Sequence, residues 1–254
     1  DRFADAKHII YAGASLLTEN LKQRIAGTDF NRNELVPGVY AEYAYNPQVT
    51  EADKRFSERF GVVATIRGDF HNIYGTQIAP ALTAKYNITM DMVLRANVGK
   101  GYRTPYFFTD NISSFVNGRP IQIEQNLNAE EAINYGLSYT IKSKIARRNF
   151  TLNADLYQTQ FQNQIIVDQE TNSSLVSVSN LDGQSITTSA LLSTTYEVIS
   201  DLTLKLAYKW NHIEYDQAGV RINKMLIPKN RALMALHYTT PNKKWEFSNT
   251  TTWI

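Results

Sequence analysis

The sequence of 254 residues contains no cysteine, so it can form neither a disulfide framework nor a thiolate metal site. Glycine (12) and proline (7) are scarce, which excludes a linker or a low-complexity chain. No run approaches the roughly 20 consecutive apolar residues of a membrane-spanning helix, which excludes a helical membrane protein. Because 26 Lys and Arg residues nearly balance 24 Asp and Glu residues, the net charge of +2 argues against a dedicated nucleic-acid-binding protein.

Aromatic residues, by contrast, are abundant: 15 Tyr, 11 Phe and 3 Trp favour β-strands. The strongest pattern is alternation with a period of two residues. Between residues 202 and 211 one set of positions is apolar, namely Leu202, Leu204, Leu206, Tyr208 and Trp210. The positions between them are small or polar, namely Thr203, Lys205, Ala207, Lys209 and Asn211. This alternation predicts a strand with one apolar face and one polar face.

Similar alternation predicts eleven strands and no helix. The strands are expected at residues 7–17, 35–45, 58–70, 76–87, 90–103, 130–142, 149–167, 175–199, 202–215, 227–240 and 244–254. Several are longer than the roughly 5–6 residues usual in globular proteins, and a membrane-spanning strand needs about 9–11 residues. The predicted fold is therefore all-β, an antiparallel up-and-down transmembrane β-barrel.

The connections between these strands differ in length according to the side on which a meander places them. One side is predicted to carry 18–34, 71–76, 104–129, 168–174 and 212–226. The other side is predicted to carry 46–57, 87–90, 142–149, 199–202 and 241–244. Most long connections fall on the first side and most short ones on the second. Outer-membrane barrels show this asymmetry, with short periplasmic turns and longer extracellular loops.

Two motifs flank the connection 104–129. The sequence reads VGKGYRTPYFFTD from Val98 to Asp110 and QNLNAEEAINYGL from Gln125 to Leu137. The pair resembles TonB-dependent outer-membrane receptors, in which a strand ends in Gly-aromatic-Arg-x-Pro and the strand after the loop opens with Asn-x-Leu-x-x-Glu. The matching residues are Gly101, Tyr102, Arg103, Pro105, Asn126, Leu127 and Glu130, with Ala129 where the family often has Pro. The segments LVPGVYAEYAY, IRGDFHNIYGTQIAPALTAKY, DLYQTQFQNQIIV and SNLDGQSITTSALLSTTYEV also look similar to strands of this barrel.

The resemblance implies a 22-stranded barrel that encloses an N-terminal plug domain. Eleven strands are half of that number, and an odd count does not fit a complete bacterial single-chain barrel. Residues 1–254 are therefore interpreted as a partial transmembrane barrel domain, with the plug and flanking strands missing. A closed smaller barrel would require one further strand.

The resemblance also implies a function and a location. The expected function is energy-coupled uptake of a scarce nutrient, such as a ferric siderophore, cobalamin, haem or an oligosaccharide, across the outer membrane of a Gram-negative bacterium. The expected partners are outer-membrane lipid, the small-molecule or oligosaccharide ligand, and the inner-membrane TonB complex, which would act through the missing N-terminal part. No nucleic-acid partner is expected.

The best candidate for ligand binding is the loop Thr104–Glu124, because aromatic rings offer rigid contact area and Arg recognises carboxylates and phosphates. Its candidate residues are Tyr106, Phe107, Phe108, Asp110, Asn111 and Arg119. A second set of polar residues is expected on the inner strand faces, where most would contact a plug or water. This set is Glu42, Arg67, Asp69, Lys85, Arg95, Asn153, Asp155, Lys205 and Lys209.

Catalytic chemistry is not predicted. The sequence has neither His-Glu-x-x-His nor Gly-x-Ser-x-Gly, so no catalytic residue, cofactor or metal site is assigned. Two alternative functions remain open at this point. One is a passive outer-membrane pore or adhesin-like barrel without energy coupling, which a plug would distinguish from a receptor. The other is a soluble β-sheet carbohydrate-binding protein, which would be soluble without detergent.

Overall fold

The computed structural model describes residues 7–25, 28–29, 31–46, 59–106, 118–124, 127–168, 172, 174–217, 220–223 and 227–254. The elements of these residues are all β-strands. They are β1 (His8–Leu21), β2 (Arg24–Ile25), β3 (Thr28–Asp29), β4 (Arg32–Tyr45), β5 (Phe60–His71), β6 (Gly75–Asn87), β7 (Met92–Arg103), β8 (Ile121–Ile123), β9 (Glu130–Ile145), β10 (Arg148–Gln162), β11 (Ile165–Asp168), β12 (Val176–Asn180), β13 (Gln184–Ile199), β14 (Leu202–Gln217), β15 (Val220–Asn223), β16 (Asn230–Thr239) and β17 (Glu246–Trp253). Within these ranges no helix is long and apolar enough to cross a membrane.

The main sheet is an antiparallel meander. Its strands are hydrogen-bonded in the order β1-β4-β5-β6-β7-β9-β10-β13-β14-β16-β17, with β15 paired to β14 beside this path. The predicted all-β fold with eleven up-and-down strands is confirmed. In the part of the chain that the structure describes, no ladder joins β1 to β17, so the sheet has two open edges.

Two predicted strands were too long. The prediction at 149–167 covers both β10 and β11, and the prediction at 175–199 covers both β12 and β13. Positive φ angles at Asn163 (52°) and Gly183 (136°) mark the two breaks. The separated strands β11 and β12 join β8 in a second, three-stranded sheet, in which β12 and β8 are parallel. Both predictions of a continuous strand are therefore wrong.

The main sheet has an apolar face and a polar face. Cross-strand partners show this directly, because residues opposite each other lie on the same face. On the apolar face Leu137 pairs with Leu156, and Leu156 pairs with Ala190. The adjacent register positions, on the other face, are Ser138 and Asp155. The register also places the nine predicted inward residues, from Glu42 to Lys209, together on the polar face.

A single sheet layer leaves its apolar face open. Ile10, Leu16, Ile66, Leu156 and Leu192 are each about half or more exposed. The most fully buried apolar side chains lie instead in the three-stranded sheet, where Val176 is 0% and Val178 is 1% exposed. The described part of the barrel wall therefore lacks an interior core of its own, and the apolar core belongs to the connections at one end.

The two ends of the main sheet differ. The turn end carries the connections 46–59, 88–91, 146–147, 200–201 and 240–245. The loop end carries 22–31, 72–74, 104–129, 163–183 and 218–229, which include the small sheets. At the turn end a two-residue hairpin joins β9 and β10, and both Ala146 (φ 49°) and Arg147 (φ 64°) have the positive φ of a type I′ turn.

Candidate functional site

The site begins where β7 separates from β6 near the loop end. The pairing of these strands ends at Ala81 and Gly99. Pro80 precedes Ala81 on β6, and proline has no N–H to donate to a ladder. From that point β7 continues to Arg103 paired with β9. The end of β7 can therefore turn toward the ends of β1, β4 and β5.

Tyr102, near the end of β7, contacts the carboxylate of Asp69 on β5. The Tyr102 hydroxyl donates to Asp69 Oδ2 at 2.9 Å, and Arg67 Nε donates to the same oxygen at 2.8 Å. Arg67 Nη2 lies 2.7 Å from Asp69 Oδ1, and the Asp69 side chain is only 3% exposed. Gly38 lies opposite on β4, where an added Cβ would collide with Asp69 Oδ1. Glycine at this position therefore makes room for the buried Asp69 carboxylate.

Glu34 is the second buried carboxylate. Its Oε1 lies 2.6 Å from Arg32 Nε, and its Oε2 lies 3.3 Å from His71 Nε2. The side chains of Glu34 and His71 are 2% and 1% exposed. His71 Nδ1 accepts hydrogen bonds from the amides of Ile73 (3.0 Å) and Tyr74 (3.3 Å). Because Nδ1 is an acceptor, Nε2 carries the proton and donates to Glu34. The histidine thus orders the tight turn 72–74.

Tyr106 brings the residues after β7 onto the same cluster. Its hydroxyl donates to Glu19 Oε2 at 2.6 Å, and the Arg32 guanidinium lies 5.2 Å from the centroid of its ring. The hydrogen bond to Glu19, together with burial, raises the pKa of Tyr106. Pro105, directly before it, is fully buried. Arg32 Nη1 also donates to the Tyr74 hydroxyl at 3.3 Å, and burial raises the pKa of Tyr74.

These polar groups form what we call the loop-end cluster. Its members come from β1, β4, β5, β7 and the connections beside them: Glu19, Arg32, Glu34, Arg67, Asp69, His71, Tyr74, Tyr102 and Tyr106. The buried carboxylates each have a cationic partner, so the charges of the cluster are largely satisfied from within. Chemically, the arrangement holds the start of the long loop after β7 against the opposite strands.

The two sequence motifs meet beside this cluster. Arg103 and Glu130 are cross-strand partners. Arg103 donates to Glu130 Oε2 from Nε at 2.9 Å, and its Nη2 lies 2.8 Å from the same oxygen. Glu130 Oε1 accepts a hydrogen bond from the Ile165 amide at 2.8 Å. The second motif therefore joins the first motif to β11.

Asn180 joins the loop connections to each other. Its Oδ1 accepts from the Asn128 amide at 2.7 Å, and its Nδ2 donates to the carbonyls of Asn128 (3.2 Å) and Asn163 (2.6 Å). Leu181 next to it is buried. The connections 104–129 and 163–183 are consequently parts of one folded unit at the loop end.

The described residues include two of the six predicted ligand-binding residues. Tyr106 lies in the loop-end cluster, and Arg119 is half-buried just before β8. The other four loop candidates lie outside the described residues: Phe107, Phe108, Asp110 and Asn111. Binding by the six candidates stays a prediction.

The predicted motif residues also have different surroundings. Gly101 has no heavy atom within 4 Å of an added Cβ, so sterics do not explain a glycine there. Pro105 is fully buried and Leu127 is half-buried, whereas Asn126 lies outside the described residues.

Glu19, Glu34, His71 and Asn180 are functional candidates that sequence reasoning missed. Glu19 and Tyr106 are 87 positions apart, and their contact leaves no local pattern. The available signal was the placement of Glu34 and His71 at the polar positions of their strands. Among the residues described, no group of three or more His, Asp or Glu side chains is arranged to hold a metal ion.

The profile of the family described as "TonB dependent receptor-like, beta-barrel" matches residues 10–254. The chain belongs to this family. Its members are outer-membrane transport receptors of Gram-negative bacteria and not enzymes. The family assignment confirms the resemblance predicted from the two motifs. It favours an outer-membrane barrel over the alternative of a soluble carbohydrate-binding protein.

Solved structures of this family share the fold. The FrpB iron transporter of Neisseria meningitidis (F3-3 variant) gives a TM-score of 0.68 at 13% identity, covering 99% of this chain and 40% of that protein. The siderophore receptor PirA of Pseudomonas aeruginosa gives 0.63 at 12%, covering 100% and 53%. The copper transporter OprC gives 0.69 at 11%, covering 96% and 41%. The chain thus spans about half or less of these receptors. No curated protein sequence matches it significantly.

Proposed function

We propose that this chain forms part of the barrel wall of a TonB-dependent receptor that takes up a scarce nutrient across the outer membrane. The observation that carries the proposal is the family match over residues 10–254, together with a meander of long strands that have one apolar face. Uptake would draw its energy from the inner-membrane TonB complex. The ligand would be a small molecule or an oligosaccharide.

The apolar face would contact lipid and the polar face would line the lumen. In a bilayer every backbone N–H and C=O must be paired within the protein, so a sheet with open edges at β1 and β17 needs further strands beside it. We propose that such strands complete a 22-stranded barrel and that a plug domain occupies its lumen. Residues 1–254 would then be the partial barrel domain. The loop end would face outward, since longer loops are extracellular in such barrels.

The first substrate class to test is a ferric siderophore. Two of the similar structures are described as an iron transporter and a siderophore receptor, and a third as a copper transporter. Their identities of 11–13% support the fold only, so haem, cobalamin and oligosaccharides belong in the same screen. The aromatic loop beyond Tyr106 is the proposed binding element, because the loop-end cluster holds its start at the barrel mouth.

Energy coupling distinguishes this proposal from a passive pore. The experiment measures uptake of radioactive iron, supplied on a panel of siderophores, by cells that produce the native protein. Matched cells lack either the protein or TonB. We expect uptake of at least one iron complex that is lost in both deletion strains. Uptake that persists without TonB would support the passive pore instead.

The ligand loop can be tested without disturbing the wall. Replacing residues 107–117 with a Gly-Ser segment of equal length leaves Pro105 and Tyr106 in place. We expect at least a tenfold loss of affinity for the transported ligand, with unchanged heat-modifiable migration of the barrel in electrophoresis. An equally long replacement in 47–57, at the turn end, is the control. Unchanged affinity in the 107–117 variant would remove the loop as a binding site.

A further inference from the structure

All four histidines of the chain lie among the described residues, and His71 alone is buried. Its side chain is 1% exposed, whereas that of His212 is 33% exposed. His8 and His237 form exposed hydrogen bonds. His71 ends β5, directly before the turn 72–74. A proton that binds His71 therefore enters the interior of the loop-end cluster, whereas the other three histidines can be protonated in contact with water.

The hydrogen bonds of His71 fix one protonation state. Its Nδ1 accepts from the backbone amides of Ile73 at 3.0 Å and Tyr74 at 3.3 Å. Because an amide N–H can only donate, Nδ1 is unprotonated in this arrangement. Nε2 lies 3.3 Å from Glu34 Oε2 and carries the single proton of the ring. The closed turn is therefore compatible only with the neutral imidazole.

Charge around His71 does not by itself exclude a proton. The charged and titratable groups on the elements packed around it are the other members of the loop-end cluster: Glu19, Arg32, Glu34, Arg67, Asp69, Tyr74, Tyr102 and Tyr106. Three carboxylates among them outnumber two guanidinium groups, so their net charge is negative. What opposes the imidazolium is hydrogen-bonding geometry, because a proton on Nδ1 would point at two other N–H groups. Protonation therefore displaces the amides of the turn from the ring.

Tyr74 connects this turn to the start of the loop after β7. Its ring packs edge-on against His71, with 4.8 Å between the ring centroids, and its hydroxyl accepts from Arg32 Nη1 at 3.3 Å. The Arg32 guanidinium lies 5.2 Å from the ring centroid of Tyr106, whose hydroxyl donates to Glu19. His71, Tyr74, Arg32 and Tyr106 therefore form a continuous line of contacts, which we call the histidine latch. Movement of Tyr74 away from His71 would remove a contact that holds Arg32 against Tyr106.

We propose that the histidine latch is sensitive to acid: protonation of His71 releases the turn 72–74 and, through Tyr74 and Arg32, loosens the start of the loop after β7. Acid would thus regulate the proposed ligand loop, a role that rests on the proposed function. The release is local, because Asn72 is hydrogen-bonded to the backbone of β4 through its side chain at 2.9 and 3.0 Å. These bonds contain no titrating group, so β4 and β5 stay joined when the latch opens.

Proton linkage sets the size of the effect. The closed turn holds no proton on Nδ1 of His71, whereas a histidine in contact with water has a pKa of about 6.5. The closed turn therefore keeps its full stability at pH values above this pKa and loses stability as the pH falls through it. Between pH 7.5 and pH 5.5 the population of the open turn should rise about tenfold.

Hydrogen exchange of the native protein without ligand, measured by mass spectrometry at pH 7.5 and pH 5.5, tests the histidine latch. Rates are compared as protection factors, which correct for the intrinsic dependence of amide exchange on pH. We expect protection of the turn 72–74 to fall about tenfold at the lower pH, with a smaller fall in the peptide that contains residues 104–106. The hairpin at 146–147, at the opposite end of the sheet, should be equally protected at both pH values.

Three variants identify the group that binds the proton. His71→Asn places an oxygen near the position of Nδ1, so it can accept from the two amides but binds no proton in this range. Its turn 72–74 should be equally protected at both pH values. His212→Asn removes a partly exposed histidine beside Glu214 and is the matched control, which should keep the full response. Glu34→Gln should also keep it, because the proton binds His71.

Three results would overturn the histidine latch. One is unchanged protection of the turn 72–74 between the two pH values in the unmodified protein. A second is an equal fall in His71→Asn, and the third is loss of the response in Glu34→Gln, which would place the proton on that carboxylate. If His71→Asn does not assemble, as judged by heat-modifiable migration, the first and third results still decide. TonB-independent uptake would contradict the proposed function and leave these exchange results unchanged.

Discussion

The loop-end cluster and a row of four cations, Lys85, Arg95, Lys209 and Arg231, lie on the same polar face but differ in how their charges are paired. In the cluster Glu34 and Asp69 are buried, and each has a cationic group within 3.3 Å. In the row, Lys85 is the register partner of Arg95 and Lys209 is the register partner of Arg231, and no carboxylate of the described residues forms an ion pair with them. The comparison indicates that the charges of the cluster are compensated within this chain, whereas those of the row are not compensated by its described residues. Variants at the loop end should therefore affect stability more than variants in the middle of the wall.

The largest effect is expected for Glu34→Ala. Removing one member of a buried ion pair leaves the other charge uncompensated, at a cost of roughly 3–5 kcal/mol. Arg32 would lose its ion pair with Glu34, and His71 would lose its acceptor. We expect faster hydrogen exchange in the turn 72–74 and at the ends of β4 and β5, measured by mass spectrometry.

Glu131→Ala is the control for Glu34→Ala. Its ion pair with Lys100 is about a quarter to a third exposed, so the loss should be about 0–1 kcal/mol. Equal exchange rates in the two variants would show that the loop-end cluster is not the self-sufficient region that the comparison requires.

An intermediate effect is expected for Asn180→Ala. The substitution removes three hydrogen bonds to the backbones of Asn128 and Asn163, and unsatisfied groups cost about 1–3 kcal/mol. Exchange protection of β12 and β8 should fall while that of β10 persists. Asn172→Ala, at an exposed turn position, should leave β12 unchanged. Loss of protection throughout β10 would mean that the three-stranded sheet and the wall are one cooperative unit.

The smallest effect is expected for Tyr106→Phe, about 1 kcal/mol for one hydrogen bond. The bond to Glu19 favours the neutral phenol and raises the pKa of Tyr106 above the usual value of about 10. Its stabilisation is therefore complete below pH 10 and is lost as the pH rises through the raised pKa. In an absorbance titration, the difference between the two proteins reports Tyr106 alone, and this phenol should ionise at a higher pH than free tyrosine. Ionisation at or below the usual value would contradict the bond.

The strands of the wall were predictable because apolar and polar residues alternate within the sequence of each strand. Alternation over residues 202–211 is visible without any knowledge of neighbours, and β14 does cover this stretch. The same is true of the connection lengths and of the two motifs that indicated the family. A face with apolar residues at every second position specifies both the strand and its register.

The loop end was not predictable to the same degree. Strands β8 and β12 contain three and five residues, so neither is long enough to show a detectable period, and their parallel pairing joins residues that are 55 positions apart in the chain. The loop-end cluster includes the contact of Tyr106 with Glu19, which lies beyond the point where the pairing of β7 with β6 ends. Such contacts depend on the tertiary arrangement rather than on local propensity.

Site-directed spin labelling along β14 tests the central claim, that this sheet is a membrane wall with lipid on one face. Because the sequence has no cysteine, single cysteines can be placed at each position from Leu202 to Trp210. In the native protein in lipid bilayers, oxygen accessibility should peak at even positions such as Leu206. Accessibility to a water-soluble nickel chelate should instead be higher at odd positions such as Lys205, on the polar face. Equal oxygen accessibility at odd and even positions, or an inverted pattern, would contradict the account.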